Sequence, residues 1–119
     1  MKVRDSLHNT KLFDAEAKSV EIKTLQQMLN EFHQMAEELA RQVVAEEKRT
    51  GVFDMSHFAY STYARAALQR RANLQSSIND LKVKLDRTIV EHNQILAEIE
   101  RARSSFRNNR YRGFISTPA

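Results

Sequence analysis

Apolar residues in the first half of the chain recur with the period of an α-helix. From Leu25 to Val43 they fall three or four positions apart, and polar residues occupy the opposite face. Such spacing forms a single apolar stripe along a helix. The pattern therefore predicts an amphipathic helix, and a weaker stripe from Val3 to Ile22 extends it to near the N-terminus.

The second half of the chain carries a seven-residue repeat. One heptad phase is kept over about seven heptads, which is typical of a coiled coil. The d positions are Tyr60, Ala67, Leu74, Leu81, Thr88, Ile95 and Ala102. The a positions are Ala64, Arg71, Ile78, Leu85, His92, Ile99 and Phe106. We expect a second long helix that packs along the first.

The break between the two patterns lies at one of only two glycines in the chain. Lys48 and Arg49 precede Gly51, and basic residues followed by glycine are typical of a helix C-terminus. We expect a turn near residues 51–56, with Asp54 or Ser56 as the N-cap of the second helix. Because so short a connection returns the chain on itself, the two helices are predicted to run antiparallel.

Positive charge is concentrated at the C-terminal end. The formal net charge is +4, and residues 101–119 hold five of the 19 basic residues and none of the 15 acids. The other 100 residues thus have 14 basic and 15 acidic side chains, a net charge of −1. The predicted fold is all-α: a long antiparallel two-helix coiled-coil hairpin over residues 1–106, followed by a disordered basic C-terminal tail over residues 107–119.

The basic tail allows three interpretations. Its arginines Arg103, Arg107, Arg110 and Arg112 alternate with Phe106, Tyr111 and Phe114. Charge and stacking of this kind can hold single-stranded nucleic acid. The same composition can dock on an acidic protein surface or keep a disordered end soluble. Because the rest of the chain is slightly acidic, nucleic acid is the less favoured partner.

Several classes of chemistry are excluded by composition. The absence of cysteine removes disulfides, thiolate metal sites and cysteine nucleophiles. Two glycines 62 positions apart cannot build a phosphate-binding loop or a nucleophile elbow. A two-helix rod also lacks an interior that could desolvate a substrate. We therefore expect no enzyme activity and no cofactor. The polar N-terminus and the lack of a long apolar run predict a cytoplasmic protein without a membrane span.

Two Asp-x-x-His spacings could place metal ligands on one helical face. They are Asp5 with His8 and Asp54 with His57. In both cases the aspartate stands where a helix is predicted to begin, so capping is the favoured interpretation. We expect no metal site.

Three polar residues fall in the predicted seam: Arg71, Thr88 and His92. They could form a contact or a switch. The favoured interpretation is that they set register and partner choice at some cost in stability, as single polar a-position residues do.

Aromatic residues gather around the turn. Tyr60, Ala64 and Ala67 take seam positions, which leaves Phe58 and Tyr63 largely outward, with Phe53 in the turn itself. Grouped exposed aromatics are the anchors that protein interfaces use. The alternative is that they only close the end of the hairpin. We favour a partner-binding surface.

The chain resembles the FliJ family of flagellar type III export proteins in its shorter, alphaproteobacterial form. Its length, the two-helix plan and about 30 residues around the turn carry the resemblance. The matching positions are Glu46-Glu47-Lys48-Arg49-Thr50-Gly51, His57-Phe58-Ala59-Tyr60, Ala64, Ala66-Ala67, Arg70-Arg71 and Asn73-Leu74.

The resemblance implies a function in flagellum biogenesis. It implies a coiled-coil stalk that enters the ring of the export ATPase, contacts the export gate membrane protein and escorts export chaperones. The resemblance also implies that the protein reaches the inner membrane through that apparatus and does not insert into the membrane. The implied gate contacts are Tyr60, Tyr63 and Ala67. Ala67 departs from the family, which has a larger aliphatic residue at that position. A nucleic-acid-associated coiled coil and a self-assembling structural coiled coil are the alternatives.

Overall fold

The computed structural model describes residues 2–115 of the 119-residue chain, with side chains from residue 3 to residue 109. Helix α1 spans Lys2–Thr50 and helix α2 spans Thr62–Ile115, and residues 51–61 connect them. No strand occurs among the described residues. The predicted all-α helical hairpin is confirmed.

The end of α1 agrees with the sequence pattern. Gly51 has a φ of 73°, a left-handed conformation that glycine adopts without strain. Its backbone N–H donates to the carbonyl oxygen of Glu47 at 2.8 Å and closes the last turn. Lys48 and Arg49 lie in that turn, where the helix dipole favours positive charge.

The predicted start of the second helix is wrong, because α2 begins at Thr62 and the connection is correspondingly longer. Asp54 instead forms a local turn: its Oδ1 accepts hydrogen bonds from the backbone N–H of Ser56 at 3.0 Å and from the Ser56 hydroxyl at 2.7 Å. These two hydrogen bonds lower the pKa of Asp54. The N-cap is Ser61, whose Oγ accepts the backbone N–H of Ala64 at 3.2 Å.

The chain divides into two compact units. One unit, Thr24–Leu85, contains the connection, and we call it the loop unit. Beside the connection, Val43 packs with the buried residues Tyr60, Ala64 and Ala67. Leu39 packs against this cluster. The other buried apolar side chains of the unit are Leu25, Ala36 and Ile78.

The other unit consists of the first part of α1 and the last part of α2, and we call it the end unit. Its described residues are 2–23 and 86–115. Ala15, Thr88 and Ile99 are buried. Lys18 Nζ lies 2.6 Å from Glu91 Oε2, and this hydrogen bond raises the pKa of Lys18 and lowers that of Glu91.

The weak apolar stripe at the start of α1 is less buried than its pattern suggests. Val3, Leu7 and Leu12 are exposed, although all three were predicted on the packing face. Within the same unit Lys11 lies 3.9 Å from Glu98, at the outer limit of an ion pair. Apolar burial is therefore limited at this end of α1, and ion pairs also join the helices of this unit.

Helix α2 continues to Ile115, into the segment predicted as a disordered tail from residue 107, and the disorder of that tail stays a prediction. Arginine is a good helix former, and Arg107 donates to Glu100 at 3.1 Å from two turns further along the helix. Residues 116–119 lie outside the described residues, and so do the side chains of Arg110 and Arg112.

Candidate partner-binding site

Large apolar side chains project from the connection and from the first turn of α2. Phe58 is 96% exposed, and Phe53, Met55 and Tyr63 are each more than half exposed. The imidazole of His57 stacks on the Phe58 ring with centroids 4.7 Å apart. We refer to Phe53, Met55, Phe58 and Tyr63 as the loop aromatic patch, although it includes one methionine.

A cluster of polar contacts holds the base of the connection. The Ser61 hydroxyl donates to Glu46 Oε1 at 2.8 Å, so the start of α2 is tied to the end of α1. Arg49 donates to both oxygens of the same carboxylate, at 2.6 and 3.0 Å. The hydrogen bonds from Arg49 and then Ser61 lower the pKa of Glu46 to about 2. A charged carboxylate therefore locks the two helix ends together at neutral pH.

Further contacts fix the path of the chain between those ends. Arg65 donates from Nη2 to the carbonyl oxygen of Met55 at 2.9 Å, and its guanidinium lies 5.5 Å from the centre of the Tyr60 ring. The Nδ1 atom of His57 accepts the backbone N–H of Ala59 at 3.0 Å. The side chain of Phe58 is therefore presented to solvent by a chain segment with defined internal contacts.

Two of the four residues predicted to bind a partner lie in the core. Tyr60 is only 5% exposed and Ala67 is also buried, both in the cluster beside the connection. A partner cannot contact their side chains while the helices are packed in this way. Met55 was missed by the sequence reasoning, although its place beside the outward-facing Phe53 and Phe58 was a usable signal.

The hydroxyl of Tyr60 is the one buried side-chain polar atom without a hydrogen-bond partner in the described part of the chain. Burial raises the pKa of this phenol above its ordinary value. An unsatisfied buried hydroxyl opposes folding. The loop unit therefore contains a locally unfavourable group in the buried cluster beside the connection.

The three polar seam residues have different surroundings. Thr88 is buried and His92 is half-buried, as a seam position requires. Arg71 is exposed, so its side chain is less buried than those of Thr88 and His92. An arginine can lie at a seam position and still carry its guanidinium into water, because its stem is long and flexible.

The arginines assigned to the basic tail also differ in their surroundings. Arg103 lines a cleft of about 440 Å³ in the end unit, together with Arg4, His8 and Lys11. The guanidinium of Arg4 lies 5.7 Å from the centre of the Phe106 ring, and Arg107 is paired with Glu100. Two of the groups proposed to hold nucleic acid, Phe106 and Arg107, thus already have partners within the chain.

Searches for other kinds of site add little. Within residues 2–115, neither helix has a segment long and apolar enough to cross a membrane. The described side chains include no group of three or more potential metal ligands. Comparisons with protein-family models, with curated proteins and with solved structures find no match to this chain.

Proposed function

We propose that this protein is a non-enzymatic component of the flagellar type III export apparatus. In this proposal the helical hairpin is a stalk that enters the ring of the export ATPase. The loop aromatic patch contacts the export gate membrane protein, and the hairpin escorts export chaperones. The protein works in the cytoplasm and reaches the inner membrane only through these partners.

The observation that carries the proposal is the pairing of a helical hairpin with an exposed, well-anchored group of apolar side chains. Phe58 is almost fully exposed, while the contacts of Glu46, Ser61 and Arg65 hold the segment around it. Exposing large apolar side chains on a fixed backbone is unfavourable in an isolated protein, whereas it favours binding because little order is lost on association. The residues of the family resemblance lie in this same region.

The ATPase activity of the export enzyme provides the direct test. We expect the full-length protein to change the steady-state ATP hydrolysis rate of the purified export ATPase and to bind it at micromolar concentrations. An ATPase that neither binds the protein nor changes rate would contradict the proposed stalk.

The loop aromatic patch is tested separately by binding to the cytoplasmic domain of the export gate. The variant Phe58→Ala with Tyr63→Ala should lose at least about tenfold in affinity, because exposed aromatics act as interface anchors. Phe13→Ala is the matched control, since Phe13 is also a highly exposed aromatic but lies in the end unit. Equal affinity of both variants would remove the patch from the interface.

A second candidate, binding of single-stranded nucleic acid, is favoured by the basic cleft of the end unit. Arg4, Lys11 and Arg103 line this cleft, where Asp5 is the one acidic neighbour among the lining residues. Titrating single-stranded DNA at two salt concentrations, with the full chain and with a chain that ends at residue 106, decides between the candidates. Phosphate contacts by the cleft would give a steep salt dependence that the shortened chain keeps, because Arg4, Lys11 and Arg103 remain in it, whereas contacts by the arginines beyond residue 106 would be lost.

A further inference from the structure

One face of the loop unit contains an open groove of about 830 Å³ between the two helices. Its floor is apolar and consists of Met35, Leu39 and Leu74, with Met35 still 52% exposed. Its rims are polar. The α1 rim contains Glu31, Gln34 and Glu38, and the α2 rim contains Arg70 and Asn73.

The two rims of this groove carry opposite charge. Both hydrogen bonds from Arg41 to Glu38 end on Oε2, so Oε1 has no partner among the described residues. Glu31 accepts one long hydrogen bond from Gln27 and makes no ion pair in that part of the chain. Arg70 makes neither an ion pair nor a side-chain hydrogen bond there. Among the described residues, the α1 rim therefore has carboxylate oxygens that can accept further hydrogen bonds, and the α2 rim has a guanidinium that can donate them.

We propose that this groove binds the same groove of a second copy of the chain. A surface with one acidic and one basic rim is complementary to itself when a two-fold axis places each acidic rim against the basic rim of the other copy. The two apolar floors then cover each other, and the paired loop units form a four-helix bundle.

Charge also selects the orientation of the two copies. A two-fold axis parallel to the helices places α1 of each copy against α2 of the other, so Glu38 faces Arg70 across the interface. An axis across the helices would instead place α1 against α1 and bring the glutamates together. Opposite charges across an interface fix orientation in this way, and like charges exclude the alternative. The dimer therefore has both loops at the same end.

The expected dimer is weak. The groove is small and its apolar floor has three side chains, so the contact lies at or below the lower end of specific interfaces. The same face of α2 continues to Tyr63, which lies seven residues and two turns before Arg70. Dimerisation would bring Tyr63 near the interface, and so the dimer competes with partners that use the groove side of the loop.

This inference is independent of the proposed stalk function. In the proposed stalk function a single hairpin enters the ring, so the dimer is an alternative state of the free protein. An ATPase that does not respond to the protein would leave the dimer untouched. A protein that stays monomeric would leave the stalk proposal untouched.

Sedimentation velocity over a hundredfold range of concentration tests the dimer. We expect concentration-dependent dimerisation of the unaltered chain. Arg70→Glu makes both rims acidic, whereas the double variant Glu31→Lys with Glu38→Lys makes both basic. Each variant on its own should have a dimer dissociation constant at least tenfold higher than that of the unaltered chain. An equimolar mixture should form heterodimers, because acidic rims then face basic rims on both sides.

Lys82→Glu reverses an exposed charge of α2 that does not line the groove, and it is the matched control. It should dimerise as the unaltered chain does, and circular dichroism should show equal helix content in all variants. A nitroxide at Thr62→Cys, in a chain with no other cysteine, should give a short distance between labels. A monomer at all concentrations, a mixture that fails to associate, or a long distance between labels would overturn the proposal.

Discussion

Glu46 and Tyr60, which both lie near the connection, differ in whether their polar groups have hydrogen-bond partners. The carboxylate of Glu46 accepts hydrogen bonds from Arg49 and Ser61, whereas the hydroxyl of Tyr60 is buried without a partner. Their positions in the sequence do not show which of the two polar groups has a partner. The difference depends on which donors the folded chain brings within reach.

Tyr60→Phe should raise the stability of the protein. The substitution removes a buried hydroxyl that has no hydrogen-bond partner among the described residues and keeps the ring that packs with Val43 and Ala64. The melting temperature measured by circular dichroism is expected to increase. Tyr63→Phe is the control: its hydroxyl is on an exposed side chain, so its melting temperature should not change. A lower melting temperature for Tyr60→Phe would mean that the hydroxyl does have a partner.

Glu46 should make stability depend on acid pH. Its pKa is about 2 in the folded chain against an ordinary value of 4.5, so folding favours the charged form. The resulting stabilisation is complete above about pH 4.5 and is lost as the pH falls towards 2. Urea unfolding between pH 6 and pH 2 should show a smaller loss of stability for Glu46→Gln than for the unaltered chain.

Glu37→Gln provides the control for this titration. Glu37 is exposed, and it is absent from the contacts that join Glu46 to Arg49 and Ser61. Its unfolding curve should follow that of the unaltered chain at every pH. Parallel curves for Glu46→Gln and the unaltered chain would show that the carboxylate does not hold the connection.

At the scale of the helices, the heptad pattern located most of the packing. Ala64, Ile78 and Ile99 at a positions are buried, and so is Thr88 at a d position. The end of α1 at Gly51 was also predictable, because a left-handed glycine cap has a distinctive sequence.

The start of α2 and the partner-binding residues were less predictable. Asp54 satisfies the sequence rule for an N-cap but uses its carboxylate in a turn with Ser56, and Ser61 takes the cap. Tyr60 and Ala67 are buried, as their d positions predict, whereas the family resemblance implied that they contact a partner. Local propensity describes each residue separately, whereas the cap depends on which side chain reaches a given backbone N–H and burial depends on packing against α1.

Ile78→Ala tests the seam of α2. Ile78 is fully buried, and removing its side chain should cost about 2–5 kcal/mol of unfolding free energy through lost burial and a new cavity. Val83→Ala changes an exposed apolar residue of the same helix and should stay within about 0.5 kcal/mol. Urea titration followed by circular dichroism measures both. Equal effects would mean that Ile78 is not part of a packed core.

At the scale of the whole molecule, the two units differ in how their helices are held. The loop unit buries seven apolar side chains: Leu25, Ala36, Val43, Tyr60, Ala64, Ala67 and Ile78. The end unit buries Ala15 and Ile99 with Thr88, and it adds the ion pairs of Lys11 and Lys18. Ion pairs between partly exposed side chains contribute little in water.

Hydrogen exchange should therefore differ between the units. Backbone amides of residues 3–12 should exchange fastest among the helical residues, because Val3 and Leu7 are exposed where packing was predicted. Amides around residues 36–43 and 64–78 should exchange slowest. Raising the salt concentration should speed exchange in the end unit and change the loop unit less. Uniform protection along both helices would contradict this difference.

The close packing of Ala64 and Ala67 against Val43 also bears on how such a sequence can evolve. Larger side chains at these two positions would force the helices apart, whereas most exposed positions can change without consequence. Together with Gly51, these small residues form a sparse set of positions at which side-chain size or backbone conformation restricts the residue. Related hairpins can therefore diverge at most other positions until little overall sequence similarity is left. The spacing of Gly51, Ala64 and Ala67 is then the sequence feature by which relatives should be identified.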